Sequence, residues 1–242
     1  MWKADSALET TETRQVHQTY RIDGLNRRRG AELAAALGYF LISITPLVAA
    51  EWVQVNNSSS VAIYAKARSG SPVKELRAVG TVDAPIRVVL NVLDEVGDYP
   101  DFMPYTTTAQ LLERTPQRAI VYFRWDPPII GARDITVAVM QSSSKRADGQ
   151  TNYQLRWEPI SSAGPAPIPG VTRITLDEGS WNLEPTEDGA KTTVTYDLFT
   201  DGGGGLPAFV INMANRQSVS DLFQAIRKQV TQPKYYPKNR AE

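Results

Sequence analysis

The stretch DGGGGLPAFVINMANRQSVSDLFQAIRKQ, residues 201–229, places four consecutive glycines, Gly202, Gly203, Gly204 and Gly205, directly before a long amphipathic run. A glycine loop at a helix N-terminus cradles phosphate in some folds, but that use needs a Lys-Ser/Thr pair after the glycines and a β-α-β unit around them. Here Leu206-Pro207 follows instead. Two readings remain: a hinge beneath a helix that moves, or a glycine-rich turn from strand to helix. In either case Pro207 presets the first helical turn. Along the helix, Phe209, Val210, Met213, Val219, Leu222, Phe223, Ile226 and Val230 form one broad apolar stripe. At roughly 1.5–3 kcal/mol for each large side chain fully buried, that stripe is worth more than about 10 kcal/mol once docked. It requires a large apolar surface to dock on.

Outward from this helix the sequence offers strands. VAIYAKAR (61–68) and KELRAVGTV (74–82) alternate apolar and polar residues around a Ser-Gly-Ser-Pro turn, which predicts an antiparallel pair. Asp83 as cap and Pro85 as first residue predict a short helix carrying Val88, Val89, Val92, Leu93 and Val96, ending near Gly97. Six strand candidates follow: TAQLLERT, RAIVYFRW, RDITVAVMQS, NYQLRWEP, VTRITLDEGSWNLEP and KTTVTYDLFT. Turn-rich segments separate them, as in an antiparallel meander. The fold class is therefore α+β, a strongly curved antiparallel sheet with a long C-terminal helix across it. The tail QPKYYPKNRAE is expected to be unstructured.

Composition removes more chemistry than it adds. In 242 residues, 26 Lys and Arg balance 26 Asp and Glu, which argues against nucleic acid as the main partner. Cysteine is absent and His17 is the only histidine, so thiol nucleophiles, disulfides and Cys-based metal sites are excluded. Neither a cofactor nor a metal is expected. Whether His17 belongs to the folded domain turns on Arg27, Arg28 and Arg29, followed by an apolar run from Leu33 to Leu47 and the small residues Ala49 and Ala50. This pattern fits a secretory signal cleaved near Ala50, and also a membrane anchor over 33–50; a buried core helix is the third alternative. The expected organisation is an N-terminal extension over 1–50 and a globular domain over 51–242.

Four segments, in this order, resemble the START (StAR-related lipid transfer) domain in its bacterial form. They are VKELRAVGTVDAPIRVVLNVLDEVGDYPDFMPY, the triplet Ala132-Arg133-Asp134 after a Pro-Pro loop, GVTRITLDEGSWNLEP, and TDGGGGLPAFVINMANRQSVSDLFQAIRK. The likeness runs from about Val61 to Val230. It implies a helix-grip fold, a member of the wider SRPBCC superfamily, whose sheet and C-terminal helix enclose a tunnel for a sterol, phospholipid or similar hydrophobe. It also implies a lid, here the loop DPPIIGA with Pro127 and Pro128, and the segment Gly202 to Gly205 with its helix. One departure stands out: a buried acid–base pair found inside some START cavities has no counterpart, because Val139 stands where the arginine is expected.

A tunnel for an amphiphile is mostly apolar with a few convergent polar groups. Candidates for ligand contact are Tyr122, Arg124, Arg133, Trp157, Trp181, Phe209, Asn212 and Met213, with Arg156 and Arg173 as further polar candidates. Alternation on one strand sets Tyr122 with Arg124, and Val121 with Phe123 and Trp125, so one set faces inward. For Arg133 with Asp134 the favoured reading is an ion pair or backbone anchor at the start of a strand, the usual use of an edge arginine. For Trp157 and Trp181 the favoured reading is core, since large aromatics dominate core burial.

Two function classes follow. The first is a non-catalytic carrier of a lipid or other hydrophobic molecule, secreted or periplasmic and monomeric, in transient contact with membranes. The second is a helix-grip enzyme such as a polyketide aromatase/cyclase, whose difficulty is a general base, since only carboxylates such as Asp134, Asp177 and Glu178 remain.

Overall fold

The structure, a computed structural model, describes residues 50–58, 61–186 and 188–237. The expected signal or anchor over 33–50 falls, but for Ala50, outside the described residues, as does His17. Ten strands are described: β1 (Val53–Ser58), β2 (Val61–Arg68), β3 (Ser71–Val82), β4 (Thr106–Arg114), β5 (Arg118–Trp125), β6 (Arg133–Lys145), β7 (Thr151–Pro159), β8 (Thr172–Arg173), β9 (Leu176–Pro185) and β10 (Thr192–Asp201). The helices are α1 (Ile86–Asp94), α2 (Tyr99–Phe102) and α3 (Ala208–Gln229).

The strands make one sheet in the order β1-β2-β3-β10-β9-β7-β6-β5-β4, with β8 paired to β6. The ladders along that order are antiparallel; only β8 runs parallel to its partner. The expected curved sheet crossed by a C-terminal helix is present. Its central join is long-range, with β3 pairing β10 so that Leu76 lies opposite Leu198. The segment expected as a single strand over 171–185 is divided. β7 pairs with β6 only as far as Val137 opposite Pro159, and β8 takes the vacated place beside Arg133 and Asp134. The sequence reading passed over β1, whose Val53 and Gln54 are both exposed, so its alternation marks no buried face.

The main core joins the sheet to the helices. Ile63, Ala78, Leu183 and Val194 from strands pack with Val88, Val89 and Val92 of α1 and with Val219, Phe223 and Ile226 of α3. A smaller cluster of Val73, Phe199 and Ile211 seats the start of α3, so both ends of that helix are anchored. Pro85 occupies the cap position of α1 without a side-chain cap, and Asp83 instead pairs with Lys191 at the surface.

The tail departs from expectation. Pro233 to Tyr235 form a 3-10 turn, and Tyr235 is buried. Its hydroxyl donates to Asp98 and accepts from Gln229 Nε2, while its carbonyl accepts from Asn91 Nδ2 at 2.7 Å. One aromatic residue with both ends satisfied fixes the end of α3 against α1.

Candidate functional site: a cavity between sheet and C-terminal helix

Between the sheet and α3 lies a cavity of about 270 Å³. At about 30 Å³ for each water's share of liquid volume, this is room for roughly nine waters or one small amphiphile. Period-two alternation supplies its walls. β5 contributes Ala119, Val121, Phe123 and Trp125, β6 contributes Val137 and Val139, and β7 contributes Leu155 and Trp157. β9 adds Asp177 and Trp181, and β10 adds Tyr196, Leu198 and Thr200. The helix side is Ala214, Asn215, Ser218, Val219 and Leu222. Small side chains there leave space open below the helix where larger ones would fill it.

The polar centre of the wall is built by a glycine. Gly179 lies opposite Trp157 in the β7–β9 ladder, and a Cβ at Gly179 would collide with the indole ring and with the carbonyl of Asp197. The ring therefore lies across the glycine, and its Nε1 donates to Asp177 Oδ1 at 2.5 Å. Thr200, opposite Asp177 on β10, is a second hydrogen-bond partner of this carboxyl. Asp177 is 9% exposed, and burial raises its carboxyl to about 6, partly offset by the bonds from Trp157 and Thr200. Beside it Tyr196 is stacked with Trp157, ring centroids 5.6 Å apart, and packs on Trp181 at 4.2 Å. Burial, and then the nearby Asp177, push the Tyr196 hydroxyl well above its ordinary value, so it is neutral.

Arg133 joins the two segments expected to form a lid. It is 4% exposed; Nε donates to the carbonyl of Gly202 and Nη1 to that of Gly131, each at 2.8 Å. Desolvation lowers its pKa. It lines the cavity while holding backbone, so the backbone-anchor alternative describes it. Asp134, on the other face of β6, accepts two bonds from Arg173, at 2.6 and 2.8 Å, and one from the Tyr122 hydroxyl at 3.1 Å.

Of the residues expected at the ligand, Trp157, Trp181 and Arg133 come together on the wall with Pro127 and Gly202. The others are placed elsewhere. Tyr122 and Arg124 belong to the outward set of β5, because Val121, Phe123 and Trp125 take the inward positions. Asn212 docks α3 on the β2–β3 hairpin, with Oδ1 accepting from the Lys74 amide at 2.9 Å. Phe209 and Met213 are 72% and 49% exposed and lie off the cavity wall. Leu222 lies nine positions after Met213, a rotation of about 180° at 3.6 residues per turn, so the two cannot share a face. Pro128, Gly203, Gly204 and Gly205 are also off the wall. Sequence reasoning missed Asp177, Tyr196 and Thr200 as wall residues. The signal was the alternation Asp177, Gly179, Trp181, which puts the acid on the same strand face as a tryptophan already singled out.

Solved structures similar to this one include START domains. A STAR-related lipid transfer protein fragment from Xanthomonas axonopodis superposes with a TM-score of 0.66 at 24% identity, over 75% of this chain and 99% of that one. Human StAR-related lipid transfer protein 5 superposes with a TM-score of 0.66 at 18% identity, over 74% of this chain and 86% of the other. The fold is that of a START domain. No protein-family model matches the chain. In sequence it is similar to an uncharacterized protein of Pseudomonas aeruginosa, 27% identical over 169 residues, which covers 68% of this chain and 79% of that protein. The START fold places the cavity where the helix-grip arrangement predicts it, beneath the C-terminal helix.

Proposed function

We propose that this protein binds, and carries without chemical change, one lipid or other hydrophobic small molecule in the cavity under α3. The observation that carries the reading is a partly open, mainly apolar cavity walled by Val121, Phe123, Val137, Leu155, Trp181 and Leu222. An interior left open at that position is what a guest requires and what a core built only for stability avoids. The likeness to lipid transfer proteins supports the same class of ligand.

Exchange with membranes is part of the proposal. Ile129 and Phe209 are 86% and 72% exposed, on the two segments that Arg133 ties together. Large apolar side chains displayed to solvent suit brief insertion into a lipid surface. The chain acts as a monomer, and outside the cytoplasm after cleavage near Ala50, or tethered by 33–50. The mature N-terminus distinguishes those two.

One observation favours a second reading, a helix-grip enzyme such as an aromatase/cyclase. A carboxyl raised to about 6 inside a cavity beside tyrosines has the properties of a general base. One experiment separates the readings. Native mass spectrometry of protein isolated from its own host without delipidation should find one hydrophobe bound per chain, released unchanged after prolonged incubation. Progressive conversion of the guest would favour the enzyme. No guest, together with no uptake from a lipid panel, would overturn both.

A further inference from the structure

The carboxyl of Asp177 is the one negatively charged group seated deep in the wall, and among the described residues no cation offsets it. Its contacts are the Trp157 indole and the Thr200 hydroxyl, and the charged group that acts on it is Glu178, which raises its pKa further. The nearby arginines are committed elsewhere. Arg133 on β6 holds the carbonyls of Gly131 and Gly202, Arg68 on β2 pairs with Glu178 at 2.6 Å, and Arg173 on β8 pairs with Asp134. From β10 the titratable neighbour is Tyr196, and beyond it stands Tyr99; both hydroxyls are pushed upward by burial and are neutral. From α3 come Asn215, whose Nδ2 donates to the carbonyl of Thr200 at 3.2 Å, and Ser218, neither of them charged. Arg114 and Arg118 line the cavity on β4 and β5, at the far edge of the sheet, where Arg114 is paired with Asp94. A carboxylate offers about four acceptor positions, more than its two donors use.

We propose that Asp177 is the head-group anchor of the cavity: the bound molecule is an amphiphile whose polar end donates a hydrogen bond to this carboxylate, as a hydroxyl or a protonated amine, and bears no negative charge. The inference rests on the hydrophobic-ligand reading and names the chemistry of its polar end. A donor from the ligand satisfies the remaining acceptor positions of a group that water reaches poorly. A carboxylate or phosphate at the same depth meets a like charge in a medium where a separation of ~4 Å costs about two to three orders of magnitude in affinity.

The test uses the delipidated full chain and three probes with the same tail: decan-1-ol, decylamine and decanoate, titrated by calorimetry. At about pH 8, where Asp177 is ionised, decanol and decylamine should bind at least about tenfold more tightly than decanoate. Asp177→Asn, checked for an unchanged circular dichroism spectrum, should bring the three within about threefold of one another. In the wild type, decylamine is protonated throughout, so its affinity should rise with a midpoint near pH 6, while that of decanol stays flat. Trp157→Phe, which removes a donor to the carboxylate, should move that midpoint upward, so the proposal stays testable if Asp177→Asn does not fold. Decanoate binding as well as decanol, or a preference unchanged in Asp177→Asn, overturns the proposal and leaves the hydrophobic-ligand reading standing. Failure of all three probes to bind overturns both.

Discussion

Burial raises the Asp177 carboxyl from an ordinary 3.8 to about 6, so between those pH values the folded chain holds a proton that the unfolded chain has released. Stability from this group is therefore greatest below about pH 4 and falls as pH rises toward about 6, the opposite of a carboxylate in a salt bridge. A shift of about two units corresponds to about 2–3 kcal/mol of lost stability above the window. Asp177→Asn should remove this slope and raise stability at about pH 8 by about 1–3 kcal/mol, as read from urea denaturation of both proteins at several pH values. Parallel pH profiles would show that the carboxyl is not desolvated. At this scale the sequence was legible where one strand decides and opaque where two must be in register. Parity on β5 limited the inward set to Tyr122 with Arg124 or to Val121, Phe123 and Trp125, and only the sheet's position decided between them. That Trp157 reaches Asp177 depends on Gly179 lying opposite it, a pairing of residues far apart in the chain.

The glycine segment before α3 was a hinge or a turn by sequence; its geometry explains the composition without motion. Gly203, Gly204 and Gly205 have φ of 64°, 68° and 68°, three left-handed residues in succession that no L side chain adopts without strain. Gly205 has open space around its missing Cβ, so Gly205→Ala tests the backbone alone. A fixed turn predicts a cost of about 1–2 kcal/mol in urea denaturation. A cost near zero would mean that the segment reaches other conformations freely, as a hinge does. The helix itself was legible in extent but not in rotation. Its second half follows the expected stripe through Val219, Leu222, Phe223 and Ile226. Its first half is held instead by Ile211 against Val73 and Phe199, and Phe209 and Met213 turn outward. An apolar residue at roughly helical spacing is not evidence of a shared face until the rotation is summed. In the facing loop Ile129 has φ of 76°, a left-handed conformation costly for a β-branched residue, and its side chain points into solvent. Backbone strain of this kind persists only where the surrounding structure over-determines it.

At the scale of the molecule, Ile129 and Phe209 make the exchange proposal testable. The double variant Ile129→Ser, Phe209→Ser removes two exposed side chains of about 1.5–3 kcal/mol transfer value each, so recovery with sedimented phosphatidylcholine vesicles should fall at least about tenfold, with thermal stability unchanged or higher. Equal recovery would place membrane contact elsewhere on the surface. The overall architecture was legible because each local pattern agreed with it: alternation for the strands, a long amphipathic helix, turn residues at regular intervals. The order of strands was not, since nothing in the period of β3 or β10 says that they meet. The tail was misread because a single buried residue, Tyr235, secures a segment whose composition looks like that of a free end. The junction of β3 with β10 bears on how this protein comes into being. The first hairpin emerges from the ribosome before the edge that completes it, which lies more than a hundred residues further along the chain. Helix α3, which caps the structure, comes later still. The sheet can therefore close only after the whole stretch between its two halves has been made, and at the slower pace of distant pairings.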